Sequence, residues 1–139
     1  LIYAANTTSE SDLDLNGYVS FINGLSHEEV LENISESDLF LLSSLEEGIS
    51  NAALEAMALN VPVISTECGG MIEVIDNGIN GFIVPVRDIN SMANTIIKFI
   101  DLDESHKTNI ILNARETIIK NHLISHQIDQ FISLYDSML

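Results

Sequence analysis

Cysteine is nearly missing from this chain. Cys68 is the only one in 139 residues, so no intrachain disulfide can form, a usage that suits a reducing cytoplasm. No stretch of 18 consecutive apolar residues occurs, so no helix of the chain is expected to span a membrane. Basic residues are scarce: five Lys and Arg stand against 21 Asp and Glu, for a formal charge of −16. Such a surface repels phosphate, so nucleic acid and anionic lipid are poor partners. There is no internal repeat and no low-complexity tract.

Several chemistries drop out with their motifs. No G-x-G-x-x-G and no P-loop is present, which removes support for a dinucleotide dehydrogenase or an NTPase. Ser43 and Ser44 lack the G-x-S-x-G surroundings of a hydrolase nucleophile. His122 and His126 have i, i+4 spacing, but no third metal ligand lies close in sequence, and we assign no metal site. Cys68 beside Gly69 and Gly70 reads as a structural thiol. Asp12 and Asp14 lie in a polar stretch well past the first strand, unlike the strand-end acids of a phosphoacceptor domain. The sequons at Asn6 and Asn33 are chance tripeptides.

What remains is ordinary for a globular α/β protein: 46% hydrophobic residues and seven glycines. The length fits one domain, residues 1–139, with a full core. Strands are expected at 1–5, 18–23, 38–43, 61–65 and 82–85. Residues 6–17 are polar, a loop or short helix. Ser26 with Glu29 forms a capping box for a helix to about Ser35. Further helices are expected at 50–59 and 70–75. Strands alternating with helices imply a parallel, Rossmann-like sheet flanked by helices, with ligands at the strand C-terminal ends. Beyond residue 88 the chain is helical. Ile89, Met92, Ile96, Ile97 and Ile100 form one apolar stripe. Ile111, Ala114, Ile118 and Ile119 form a second. Ile128, Phe131, Ile132, Tyr135, Met138 and Leu139 form a third.

The densest chemistry lies at Glu47-Gly-Ile-Ser-Asn-Ala-Ala-Leu-Glu55. Glu47 stands in a turn after an apolar strand, and Glu55 falls within a run of helix formers. Eight residues of helix rise about 12 Å. Two acceptor-only carboxylates so spaced suit hydroxyls at opposite ends of an elongated ligand. Free N–H groups at Ile49, Ser50 and Asn51 suit an anion between them. Ribose, diphosphate and sugar follow one another in that order in a nucleotide-sugar. The plain alternative is a first-turn acid and a solvated helix residue.

Six blocks in register resemble the C-terminal half of a retaining GT-B glycosyltransferase of the family 4 (group 1) type. They are Val19-Ser-Phe-Ile-Asn-Gly24-Leu25, Ser26-His-Glu-Glu29, Ser37-Asp-Leu-Phe-Leu-Leu-Ser-Ser44, Glu47 to Ala58, Asn60-Val-Pro-Val-Ile-Ser65, and Gly69-Gly70 with Glu73 and Asn77 to Gly81. Ser43 stands where the family has Pro, and Asn60 where it has Gly. The resemblance implies that Glu47 contacts the donor sugar and stabilises the reacting end, and that Glu55 binds the ribose hydroxyls. It implies that backbone N–H groups of Gly48, Ile49, Ser50 and Asn51 meet the diphosphate or sugar. Gly24 and Leu25 would flank the base, and Gly70 would let the backbone approach the ligand. The donor is a nucleotide-diphosphate-sugar, and neither metal nor cofactor is implied. The setting implied is bacterial surface polysaccharide synthesis, in the cytoplasm or at the inner membrane face.

No Lys or Arg precedes Arg87, whereas the family's diphosphate-clamping cations lie upstream of the first strand. We therefore expect a fragment of a longer two-domain enzyme, inactive alone, whose partner is the N-terminal acceptor domain. The stripe at 128–139 would be partly exposed or paired in a dimer. Two rivals are a nucleotide-sugar epimerase of the same fold, marked by products from donor without acceptor, and a non-catalytic partner subunit. With so much negative charge and no clamp, residues 1–139 alone should bind a nucleotide-sugar weakly in calorimetry. Tight binding would contradict the reading.

Overall fold

The computed structural model describes residues 2–4, 19–21 and 24–138. Along these run five short strands and six helices. They are β1 (Ile2–Ala4), β2 (Val19–Phe21), α1 (His27–Ser35), β3 (Phe40–Leu42), α2 (Asn51–Ala58), β4 (Val63–Thr66), α3 (Met71–Val74), β5 (Phe82–Val84), α4 (Ile89–Ile100), α5 (Glu104–Asn121) and α6 (Ile124–Met138). Residues 6–17, expected as a loop or short helix, lie outside the described residues.

Every ladder is parallel, as β-α-β alternation requires. β1 pairs with β2, and β3, β4 and β5 pair in that order. The sequence reading did not anticipate the division: among the described residues no ladder joins the two groups. β4 is the middle strand of its sheet and all four of its residues are buried. Its side chains alternate between faces. Val63 joins a core with Ala53, Ala56, Met57, Met71, Val74, Ala114 and Ile118. Ile64 joins Phe82, Val84, Phe99 and Ile110 on the other side. Helices therefore cover both faces, and α2 packs between the sheet and α5.

Side-chain caps set the helix starts. In α1 the Glu29 N–H donates to Ser26 Oγ at 3.3 Å, and the Ser26 N–H donates to Glu29 Oε2 at 2.7 Å, the expected reciprocal box. Ser50, Asp88 and Asp103 cap α2, α4 and α5 one way only, their side chains accepting the Ala53, Ser91 and His106 N–H groups. Asn60 follows the end of α2 with φ of +65°, a left-handed conformation that Asn tolerates. That explains Asn at a position where the resembled family has Gly.

Two apolar stripes differ from expectation. In α4 the inward face is Met92, Ile96 and Phe99, at i, i+4 and i+7. Ile89 (82%), Ile97 (57%) and Ile100 (60%) are exposed. Phe99 outcompetes its apolar neighbours because its ring meets Phe82 edge-on at 6.1 Å, with the Lys107 ammonium 5.9 Å away. In α5 Ile110, Ala114 and Ile118 are buried, whereas Ile119, one residue past that face, is not. On α6, Ile128, Phe131, Ile132, Tyr135 and Met138 are all exposed, and Leu139 lies outside the described residues.

The capping acids make the fold acid-sensitive. The Ser105 hydroxyl and then the His106 N–H hold the Asp103 carboxyl well below the usual range, and the Ser91 N–H and hydroxyl do the same for Asp88. A depressed folded pKa contributes stability above the unfolded value, near 3.8, and that contribution disappears as pH falls through the folded value. Thermal melting of Asp103→Asn should therefore show a shallower loss of Tm below about pH 4 than the parent chain. Parallel curves for the two would contradict the assignment.

Candidate active site

Parallel strands place their C-terminal ends along one edge, so the loops after β3 and β4 emerge side by side. The loop after β3, residues 43–50, carries Glu47. The loop after β4, residues 67–70, lies against it. The Gly70 N–H donates to the Gly48 carbonyl at 2.8 Å. The Thr66 hydroxyl, buried at the end of β4, donates to the Ser44 carbonyl at 2.6 Å.

Glu47 is exposed, and its carboxylate has no partner among the described residues. Gly48 and Ile49 are also exposed. The N–H groups of Gly48, Ile49 and Asn51 have no acceptor among the described residues. They cluster where the backbone dipoles of α2 present partial positive charge.

Ser50 does not fit the expectation of a free donor. It is buried, its N–H donates to Met71 Sδ at 3.4 Å, and its hydroxyl accepts the Ala53 N–H at 3.5 Å. Those bonds tie the start of α2 to α3, and the N–H is no longer available to an anion.

Glu55 projects from the second turn of α2 with its side chain 30% exposed, and His27 Nε2 lies 3.6 Å from its Oε1. His27 opens α1 just after Gly24 and Leu25. The contact thus brings the neighbourhood of the Gly24 turn to Glu55. Gly24 has φ of +75° with open space where a Cβ would stand, so backbone conformation rather than crowding selects glycine.

Gly70 was expected to admit a ligand to the backbone. In the structure its missing Cβ instead admits the neighbouring loop: an added Cβ would lie 2.6 Å from Ile49 Cγ1 and 3.2 Å from the Gly48 carbonyl oxygen. Gly69 is tighter still, with φ of +51° and a would-be Cβ 1.5 Å from the Glu47 carbonyl oxygen.

Sequence reasoning missed His27, Thr66 and Met71. No spacing rule links His27 to Glu55, 28 residues on, or Thr66 and Met71 to Glu47, 19 and 24 residues back, since their proximity follows from strand and helix packing. The described cavities, of about 370 and 330 Å³, lie along α5 and the 76–81 turn and touch neither acid. Glu47 is exposed and the Glu55 side chain is 30% exposed, so among the described residues the two acids stand on an open ledge.

Comparisons with known proteins bear on the family and the fold. The model of the family "Glycosyl transferases group 1" matches residues 8–117. The chain is 31% identical to the amylovoran biosynthesis glycosyltransferase AmsK of Erwinia amylovora, over 90% of this chain and 33% of that protein. It is 30% identical to the capsular polysaccharide biosynthesis glycosyltransferase CapM of Staphylococcus aureus, over 100% of this chain and 38% of that protein. The structure of Anabaena HepE in complex with UDP-glucose superposes with a TM-score of 0.78 at 25% identity, over 90% of this chain and 34% of HepE. The chain thus spans about a third of the length of these relatives.

The loop contact makes a direct prediction. Gly70→Ala should destabilise the chain by about 1–3 kcal/mol through overpacking, and Ile49→Ala in the same chain should return part of that loss. Urea unfolding of the two single variants and the double variant measures the coupling. Simply additive losses would rule the contact out.

Proposed function

The chain belongs to the group 1 glycosyltransferases, and on that premise we propose that it forms the donor-binding half of a longer enzyme. That enzyme would move a sugar from a nucleotide-diphosphate carrier to a glycan or lipid-linked acceptor in bacterial surface polysaccharide synthesis. The observation that carries this reading is the ledge itself. A carboxylate at Glu47 and three N–H groups without a partner among the described residues, with the part-exposed Glu55, occupy one loop and the helix that follows it. The names of AmsK and CapM support the polysaccharide setting, and the UDP-glucose bound to HepE supports a nucleotide-sugar.

In this reading Glu55 accepts hydrogen bonds from the ribose hydroxyls, and His27 steadies its carboxylate from the side of the base. Gly24 and Leu25 border the base. The N–H groups of Gly48, Ile49 and Asn51 face the diphosphate, where oriented dipoles stabilise charge as it develops on the leaving group. Glu47 holds sugar hydroxyls and stabilises the positive character of the anomeric carbon as the glycosidic bond lengthens. The reaction retains configuration and uses no metal. Cations to complete the diphosphate clamp come from a segment outside these residues, as does an acceptor-binding domain. The exposed apolar face of α6 meets that domain or a second copy. The enzyme works in the cytoplasm, at the inner face of the membrane.

The test uses the full-length enzyme with its donor. Glu47→Ala should lower kcat by about 10² to 10³ with a smaller change in donor KM. Glu55→Ala should raise donor KM by about tenfold or more, the cost of charge-assisted hydrogen bonds, with kcat less affected. Unchanged kinetics in both variants would remove the assigned roles.

A further inference from the structure

The Glu47 side chain makes no bond of its own among the described residues, so its position is inherited from its backbone. That backbone is held at three successive points by residues at the end of β4 and just beyond. At Ser44 the carbonyl accepts the Thr66 hydroxyl at 2.6 Å, and the same hydroxyl lies 3.4 Å from the Leu42 carbonyl. At Glu47 the carbonyl oxygen occupies the space that any side chain at position 69 would need, 1.5 Å from an ideal Cβ. At Gly48 the carbonyl accepts the Gly70 N–H at 2.8 Å.

We propose that Gly69 and Thr66 are positioning residues that set the Glu47 carboxylate through the backbone of its loop. This inference rests on the role given to Glu47 above. Neither residue offers a side chain to the ligand: Gly69 has none, and Thr66 is 5% exposed with its hydroxyl already donated. The obstacle facing a Cβ at position 69 is main chain, both the oxygen at 1.5 Å and its carbon at 2.7 Å. No rotamer change relieves it. Since real Cβ contacts stay beyond 3.0 Å, the Glu47 peptide and the turn at Gly69 must part by more than an ångström. Displacement on that scale is enough to cost about 10²-fold in turnover when the moved group acts on the reacting centre. Position 69 also has φ of +51°, which disfavours any side chain independently of space.

The test is a set of double-variant cycles in the full-length enzyme, reading kcat and donor KM separately. Gly69→Ala should lower kcat by about 10²-fold, and Thr66→Val, a near-isosteric change, by several-fold to about tenfold. Donor KM should stay within about threefold in Thr66→Val, and should rise further in Gly69→Ala, because the Glu47 peptide also carries the Gly48 N–H placed at the diphosphate. In a Glu47→Ala background Thr66→Val should cost less than about twofold in kcat and Gly69→Ala at least about tenfold less than it costs in the parent, because the carboxylate being positioned is gone. If Gly69→Ala does not fold, Thr66→Val with Glu47→Ala decides the matter alone. Full activity of the Gly69 and Thr66 variants beside a disabled Glu47→Ala overturns the positioning and leaves the role of Glu47 standing. So do losses that multiply in the double variants. Full activity of Glu47→Ala itself overturns the role of Glu47, and this proposal with it.

Discussion

The site depends on one backbone-to-backbone contact, the closeness of the loop after β3 to the loop after β4. Two glycines permit it, and the bond from the Gly70 N–H to the Gly48 carbonyl closes it. The contact is possible because β4 is buried on both faces and so cannot shift relative to β3. Core packing thus reaches the site in two steps: Val63 and Ile64 immobilise the strand, and the strand's last residue and following turn immobilise the Glu47 loop. Met71 adds a further tie from α3 by taking the Ser50 N–H. The start of α2 is therefore fixed, while the N–H groups of Gly48, Ile49 and Asn51 have no acceptor among the described residues.

Charge sets the second constraint. In the proposed reading a chain of formal charge −16 accommodates a ligand that is itself an anion. The exposed carboxylate of Glu47 and the part-exposed one of Glu55 serve hydroxyls well and phosphate badly, because they only accept hydrogen bonds. Between them in sequence the backbone supplies what the side chains do not, a short run of N–H donors at a helix start. A ligand with hydroxyls at both ends and phosphates in the middle fits that alternation.

Much of the architecture was legible because its signals are local. The capping box of α1 and the strand before Glu47 can be read from a few adjacent residues, and both stand where expected within a residue or two. The α4 face was misread because helical period alone cannot rank Phe99 against three isoleucines, and the ring contact with Phe82 that decides it comes from another element. Glycine at position 70 was legible as a demand for space, but not as space for Ile49 rather than for a ligand. The contact of His27 with Glu55 left no trace in spacing, since it depends on α1 and α2 packing side by side.

The central claim is that Glu47 and Glu55 flank one nucleotide-sugar on a ledge built from the paired loops. A crystal structure of the full-length enzyme with an intact or non-hydrolysable donor tests it most directly. The account predicts the ribose hydroxyls at Glu55, the sugar hydroxyls at Glu47, and the Gly70 to Gly48 bond still in place. Donor density elsewhere, for example in the cavity between Asn80 and Asn113, with both carboxylates facing bulk water, would contradict it.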